Sequence, residues 1–218
     1  MIEQHVFLGR YGDDHVEGVS GDFFSVSALS ETEVGVFICD VAGHGVRAAL
    51  VTAMIRALAE ELKPFAREPG KFLHKLNSDL CAILKSTGSP MLTTAFYCVA
   101  NWQTGVVRFA NAGHPKPLIV RHATRQVEAL ANECGRGQPA LGLFEDPPPY
   151  QTSETTLAAG DFLMLFTDGL YEVQGSNEEL YSQQRLMVDV QLLLGESAGE
   201  LFDRLLKTIR AFATDQEF

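Results

Sequence analysis

Hydrophobic positions gather in short strand-like runs over residues 5–11, 23–29 and 34–39. These runs predict strands, and Ser30-Glu31-Thr32-Glu33 between the last two predicts a hairpin turn. After Ala42-Gly43-His44-Gly45 the period changes. Val46, Leu50, Met54, Ala57, Leu58 and Leu62 recur at helical spacing, and Pro64 marks the end of that helix. A second helix is expected after Pro69-Gly70, with Phe72, Leu73, Leu76, Leu80, Ile83 and Leu84 on its apolar face and an end near Thr87-Gly88. Strand patterns return over 93–99, 105–110, 117–121 and 126–130. Residues 131–150, rich in glycine and proline, read as a surface segment. Strands follow over 152–157 and 162–166, and a last helix over 198–212 carries Leu201, Phe202, Leu205, Leu206 and Ile209. Meandering strands with helices set apart from them predict an α+β fold with mainly antiparallel sheets, not a doubly wound parallel sheet.

Composition narrows the functional classes. The 218 residues fit one domain, and 46% hydrophobic with 21% charged residues is ordinary for a globular chain. The net charge of -11, from 17 basic and 28 acidic residues, argues against a nucleic-acid binder, because no lysine and arginine cluster offers a footprint for a phosphate backbone. No apolar run is long enough for a membrane span and no N-terminal signal pattern is visible. Cys39, Cys81, Cys98 and Cys134 are widely spaced without a CxxC pair, so they are expected as buried free thiols. Together these features give a cytoplasmic reading.

Three short acidic motifs carry the candidate chemistry: Gly21-Asp22-Phe23-Phe24, Asp40-Val41-Ala42-Gly43-His44-Gly45 and Phe166-Thr167-Asp168-Gly169-Leu170. Each places an aspartate at an end of, or just after, an apolar strand-like run, where an unpaired charge is costly. If the strands are neighbours, Asp22, Asp40 and Asp168 converge at one sheet edge. Such carboxylates repel unless a hard cation with oxygen ligands, Mg²⁺ or Mn²⁺, lies between them. Taken singly, each Asp-Gly pairing reads first as a turn. His44 reads either as a ligand or general acid or as part of a strand-to-helix turn. Arg47 is the basic residue closest in sequence to Asp40 and reads either as a phosphate contact or as a solvated helix position. His114, in Asn111-Ala112-Gly113-His114-Pro115, reads as a hairpin residue or as a substrate contact.

The stretches 21–24, 40–50, 93–120 and 141–172 resemble, in order, the SpoIIE/RsbU-type branch of the PPM (PP2C-like) metal-dependent serine/threonine phosphatases. That resemblance implies a four-layer αββα sandwich of two mainly antiparallel sheets flanked by helices. It implies two Mn²⁺ or Mg²⁺ ions and hydrolysis of phosphoserine or phosphothreonine by metal-activated water. Asp22, Asp40 and Asp168 match metal ligands and the catalytic set, with the Val41 backbone carbonyl as a further ligand; His44, Arg47 and His114 stand as substrate or support positions. The implied substrate is a phosphorylated regulatory protein, an anti-sigma-factor antagonist in bacterial partner-switching signalling. An upstream regulatory domain in the full-length protein is the other expected partner; a homodimer is compatible with the chain, and nucleic acid and membrane are not expected. Residues 1–218 read as a single such domain, lacking the family's last strand, whose acidic pair would begin at Asp215-Gln216-Glu217-Phe218, and any N-terminal sensor or receiver domain. The alternative reading is a catalytically incomplete PP2C-like module that binds a partner protein.

Overall fold

The computed structural model describes residues 21–87, 91–132, 135, 137–175 and 179–213. The strand expected over 5–11, Cys134 and the terminal Asp215-Gln216-Glu217-Phe218 lie outside these residues. The elements group into two compact units, one from Gly18–His114 with Ala131–Thr156, the other including Pro115–Leu130 and the chain from Leu157 onward.

The first unit begins with a hairpin of β1 (Asp22–Ala28) and β2 (Glu33–Val41), in which Asp22 faces Asp40 and Ala28 faces Val34. Its turn is closed by the Leu29 N–H donating to Glu33 O at 2.9 Å and by the Ser30 hydroxyl oxygen accepting from the Glu33 N–H at 3.1 Å. Helix α1 (Val46–Glu61) follows, and a 3₁₀ turn at Lys63–Phe65 holds Pro64, which cannot continue the helix. Helix α2 (Pro69–Thr87) leads into β3 (Thr93–Asn101) and β4 (Val106–Ala112). Strands β5 (Leu118–Arg121) and β6 (Gln126–Ala129) belong to the second unit, after which β7 (Ser153–Thr156) returns to pair with β4. The five-stranded sheet has the order β1-β2-β3-β4-β7 with every pairing antiparallel.

One face of this sheet is apolar because the strands keep a period of two. Phe37, Cys39 and Val41 from β2 and Ala95, Tyr97 and Val99 from β3 pack with Ala48, Val51 and Ile55 of α1 and Phe72, Leu73, Leu76 and Leu80 of α2. Phe72 stacks on Tyr97 with ring centroids 4.2 Å apart, and the Tyr97 hydroxyl donates to Ala66 O at 2.8 Å. Each large side chain so buried is worth about 1.5–3 kcal/mol. The same alternation sends Asp22, Asp40, Thr94 and Phe96 to the opposite face.

In the second unit β8 (Phe162–Met164) completes an antiparallel sheet of order β6-β5-β8. Leu118, Val120, Met164 and Phe166 share a core with Leu186 and Val190 of α3 (Gln183–Leu192) and Leu201, Leu205 and Ile209 of α4 (Ala198–Phe212). Helix α4 opens on a capping box, in which Ser197 and Glu200 exchange side-chain and backbone hydrogen bonds.

Three departures from the sequence pattern have physical reasons. Helix α3 is not announced by periodicity, because Val188 and Leu192 are exposed while Leu186 and Val190 are buried; apolar residues on both sides blur the stripe. Within 131–150, Leu141 and Tyr150 are core residues and Leu141 pairs with Thr93, so the segment is not wholly on the surface. The chain leaves the sheet after Met164, two residues earlier than the apolar run suggests. Cys39, Cys81 and Cys98 are free and buried, as expected. Among the described residues no helix is long and apolar enough to cross a membrane.

Candidate metal centre on the five-stranded sheet

Asp22 opens β1 and Asp40 is the penultimate residue of β2, directly opposite each other. The Val41 N–H donates to Gly21 O at 3.3 Å, so Gly21 and Val41 form the hydrogen-bonded pair. By the alternation of an antiparallel ladder, Asp22 and Asp40 are then the non-hydrogen-bonded pair, in which side chains stand closest. Like charges placed so are destabilising on their own. Their field is felt locally: burial, then the charges of Asp40 and Asp22, push the Cys39 thiol far up from its ordinary value. Two half-buried carboxylates concentrating negative charge at a strand end are the donor set that Mg²⁺ and Mn²⁺ prefer.

Close backbone packing fixes this pair. A Cβ on Gly21 would lie 2.3 Å from Val41 O, so only glycine lets β1 meet β2 there. Gly21 O also accepts from the Thr52 hydroxyl at 3.1 Å, tying α1 to the residue before Asp22. Val41 is fully buried, and beyond it the chain turns through Ala42-Gly43-His44-Gly45 into α1. Gly43 and Gly45 have φ of +94° and +83°, in the region that favours glycine. His44 and Arg47 are exposed, His44 in this loop and Arg47 in the first turn of α1.

Asp168 does not share the sheet edge of Asp22 and Asp40. It begins a 3₁₀ turn, Asp168–Leu170, after β8 of the three-stranded sheet, and its carbonyl accepts from the Tyr171 and Glu172 N–H groups at 2.9 and 2.8 Å. The condition for one common edge, that the three strands be neighbours, is not met, because β8 pairs with β5 and not with β1 or β2. Within the first unit Asp22 and Asp40 are a pair, and among the described residues no third aspartate, glutamate, histidine or cysteine joins them.

His114 is 5% exposed and stands beside β3, where its Nδ1 lies 2.9 Å from the Thr94 hydroxyl. Its main chain is held by Asn111, whose Oδ1 accepts from the His114 N–H at 2.8 Å and whose Nδ2 donates to His114 O at 2.9 Å. The hairpin expected around His114 is not formed, because β4 and β5 belong to different sheets; the Asn111 side chain holds this backbone instead. Thr94 and Asn111 escape sequence reasoning. The available signal was Thr94's place in a strand at a position that pairs with Asp40, which needs the register and not the motif.

The chain belongs to a known family. The fold, two antiparallel sheets each with its own helix pair, is that of the PP2C phosphatase domains: it matches the SiaA-PP2C domain of Pseudomonas aeruginosa with a TM-score of 0.75 at 20% identity, over 90% of this chain and 76% of that one. The family is the one described as Stage II sporulation protein E (SpoIIE), whose model matches residues 30–218. Among curated proteins the chain is 27% identical over 177 residues to phosphoserine phosphatase RsbP of Bacillus subtilis, covering 81% of this chain and 42% of that protein. It is 28% identical over 197 residues to phosphoserine phosphatase RsbU of the same organism, covering 87% of this chain and 55% of that protein. The chain thus spans about half the length of these relatives or less. RsbX, solved in complex with magnesium, shares the fold with a TM-score of 0.62 at 17% identity, over 90% of this chain and 81% of that one.

Proposed function

We propose that this chain is a metal-dependent protein serine/threonine phosphatase domain that hydrolyses a phosphorylated regulatory protein. The observation that carries the reading is the in-register pair of Asp22, at the start of β1, and Asp40, near the end of β2 just before the Gly43–Gly45 loop, in a chain of the SpoIIE family. Two relatives named as phosphoserine phosphatases support the substrate class. The substrate of this reading is a serine-phosphorylated anti-sigma-factor antagonist, delivered under control of an upstream regulatory domain.

In this reading Asp22, Asp40 and the Val41 carbonyl hold Mn²⁺ or Mg²⁺. When bound, such ions acidify a water and neutralise charge building on the phosphoryl oxygens. The residues of the chain bind and orient. Asp40 is central because β2 is hydrogen-bonded on both sides, to β1 and to β3, which fixes its backbone. Arg47, in the first turn of α1, supplies a charge for a phosphoryl oxygen.

The test is phosphate release from a generic phosphomonoester and from a phosphoserine peptide, with and without Mn²⁺, in the parent chain and in Asp22→Asn, Asp40→Asn and Asp168→Asn. Mn²⁺-dependent turnover is expected, with Asp40→Asn reducing it by at least about 100-fold, as removal of one group aimed at the reacting charge does elsewhere. Turnover that survives in Asp40→Asn would reject this centre. Mn²⁺ binding without turnover in the parent would favour the partner-binding module.

A further inference from the structure

The row of facing residues on the sheet does not stop at the two aspartates. Asp22 faces Asp40 across β1 and β2, and Asp40 faces Thr94 across β2 and β3, all on the face away from α1 and α2. The Ala42 N–H donates to Leu92 O at 2.8 Å, which makes Ala42 and Leu92 a hydrogen-bonded pair. By alternation Asp40 and Thr94 are one too, so the main chains of these residues are locked to each other. Their side chains stand as direct cross-strand neighbours, roughly 4.5–5.5 Å apart at Cβ. The Thr94 hydroxyl is 2.9 Å from His114 Nδ1, and Asn111 grips the His114 main chain through two hydrogen bonds of 2.8 and 2.9 Å.

We infer that Thr94 and His114 are positioning residues for Asp40: His114 Nδ1–H donates to the Thr94 oxygen, which turns the Thr94 proton toward the Asp40 carboxylate. Asn111 sets where the ring sits, the ring sets the rotamer of Thr94, and Thr94 orients the acceptor lone pairs that Asp40 offers to a cation. A ligating carboxylate is ordinarily held by such outer partners, whose loss costs about 10–100-fold in metal affinity. The inference rests on the reading of Asp40 as a metal ligand and adds the residues that aim it.

The experiment is a direct Mn²⁺ titration of the whole chain, followed by the electron paramagnetic resonance signal of free Mn²⁺, so that it needs no turnover. Thr94→Val removes the hydroxyl at nearly constant volume, and Thr94→Ser keeps it. His114→Ala removes the ring, and His114→Asn keeps an N–H donor near the place of Nδ1. Thr94→Val and His114→Ala should each weaken Mn²⁺ binding by about 10-fold or more. The double variant should be no worse than the weaker-binding single one, because the two act in series. Thr94→Ser and His114→Asn should recover most of the affinity, a recovery that a purely structural role at these positions would not produce. Parent-like affinity in Thr94→Val, with binding lost in Asp40→Asn, would overturn the positioning role and leave the metal centre standing. Equal loss in Thr94→Val and Thr94→Ser would also overturn it, since the hydroxyl would not be what matters. Retention of Mn²⁺ by Asp40→Asn would remove the metal centre itself, and the positioning role with it.

Discussion

At the scale of single residues, the glycines around the acidic pair act in two different ways. Gly21 is excluded from change by its surroundings, since a Cβ there would sit 2.3 Å from Val41 O. Gly21→Ala should force β1 away from β2, costing about 1–3 kcal/mol of stability and parting Asp22 from Asp40. Gly43 and Gly45 have nothing within 4 Å of a built Cβ, so their constraint is the positive φ alone. Gly43→Ala should therefore cost about 1–2 kcal/mol in holding the loop. Thermal melts and Mn²⁺ titrations separate the cases: Gly21→Ala lowers both the melting temperature and the affinity, whereas Gly43→Ala lowers the affinity with a smaller change in melting. Unchanged Mn²⁺ affinity in Gly43→Ala would show that the loop geometry does not matter to the centre. The acidic motifs were legible in the sequence because aspartates beside apolar runs are costly enough to stand out. Thr94 was not, because a threonine in a strand is ordinary until register places it opposite Asp40.

At the scale of elements, the segment after β6 shows how a polar side chain replaces a strand. Asn77 on α2 is 1% exposed; its Nδ2 donates to Phe144 O at 2.9 Å and its Oδ1 accepts from the Gly142 N–H at 2.9 Å. These bonds seat Leu141 in the core beside Thr93. Asn77→Ala strands the Gly142 N–H and leaves Phe144 O with the Cys81 thiol at 3.5 Å, and should cost about 1–3 kcal/mol. For a chain of this size that is a fall of about 2–4 °C in melting temperature for each kcal/mol. A melt within one degree of the parent would mean that solvent takes over both bonds. Glycine and proline content labels this segment a loop, which its backbone is; the single buried asparagine that pins it inward leaves no period to read. The helices with a clean apolar stripe, α2 and α4, were legible for the converse reason. Helix α3 was not, with Val188 and Leu192 exposed on the side away from its buried positions.

At the scale of the whole molecule, the net charge of -11 sets a general repulsion that acid relieves, against local pairs that acid breaks. Asp161 is one such pair, its side chain 3% exposed beside the Arg121 guanidinium at 3.0 Å. Burial alone would raise its carboxyl; hydrogen bonds from the Ala158 N–H, Arg121 and the His122 N–H outweigh that and hold it below the ordinary range. A depressed folded value contributes stability that is present above the unfolded value of about 3.9 and is lost as pH falls through the folded one. Asp161→Asn should thus be less stable than the parent at neutral pH by a constant margin, and the margin should shrink below about pH 4 in denaturant titrations across pH. A margin that stays constant to the lowest pH would show that charge plays no part. The register of the first hairpin bears on how the protein comes into being. Asp22 and Asp40 lie on adjacent strands joined by a tight turn, whereas two helices and six strands intervene before Asp168. Local contacts form early and distant ones late. During synthesis, the Asp22–Asp40 pair can therefore assemble while most of the chain is still untranslated, so that the nascent hairpin already presents both carboxylates side by side.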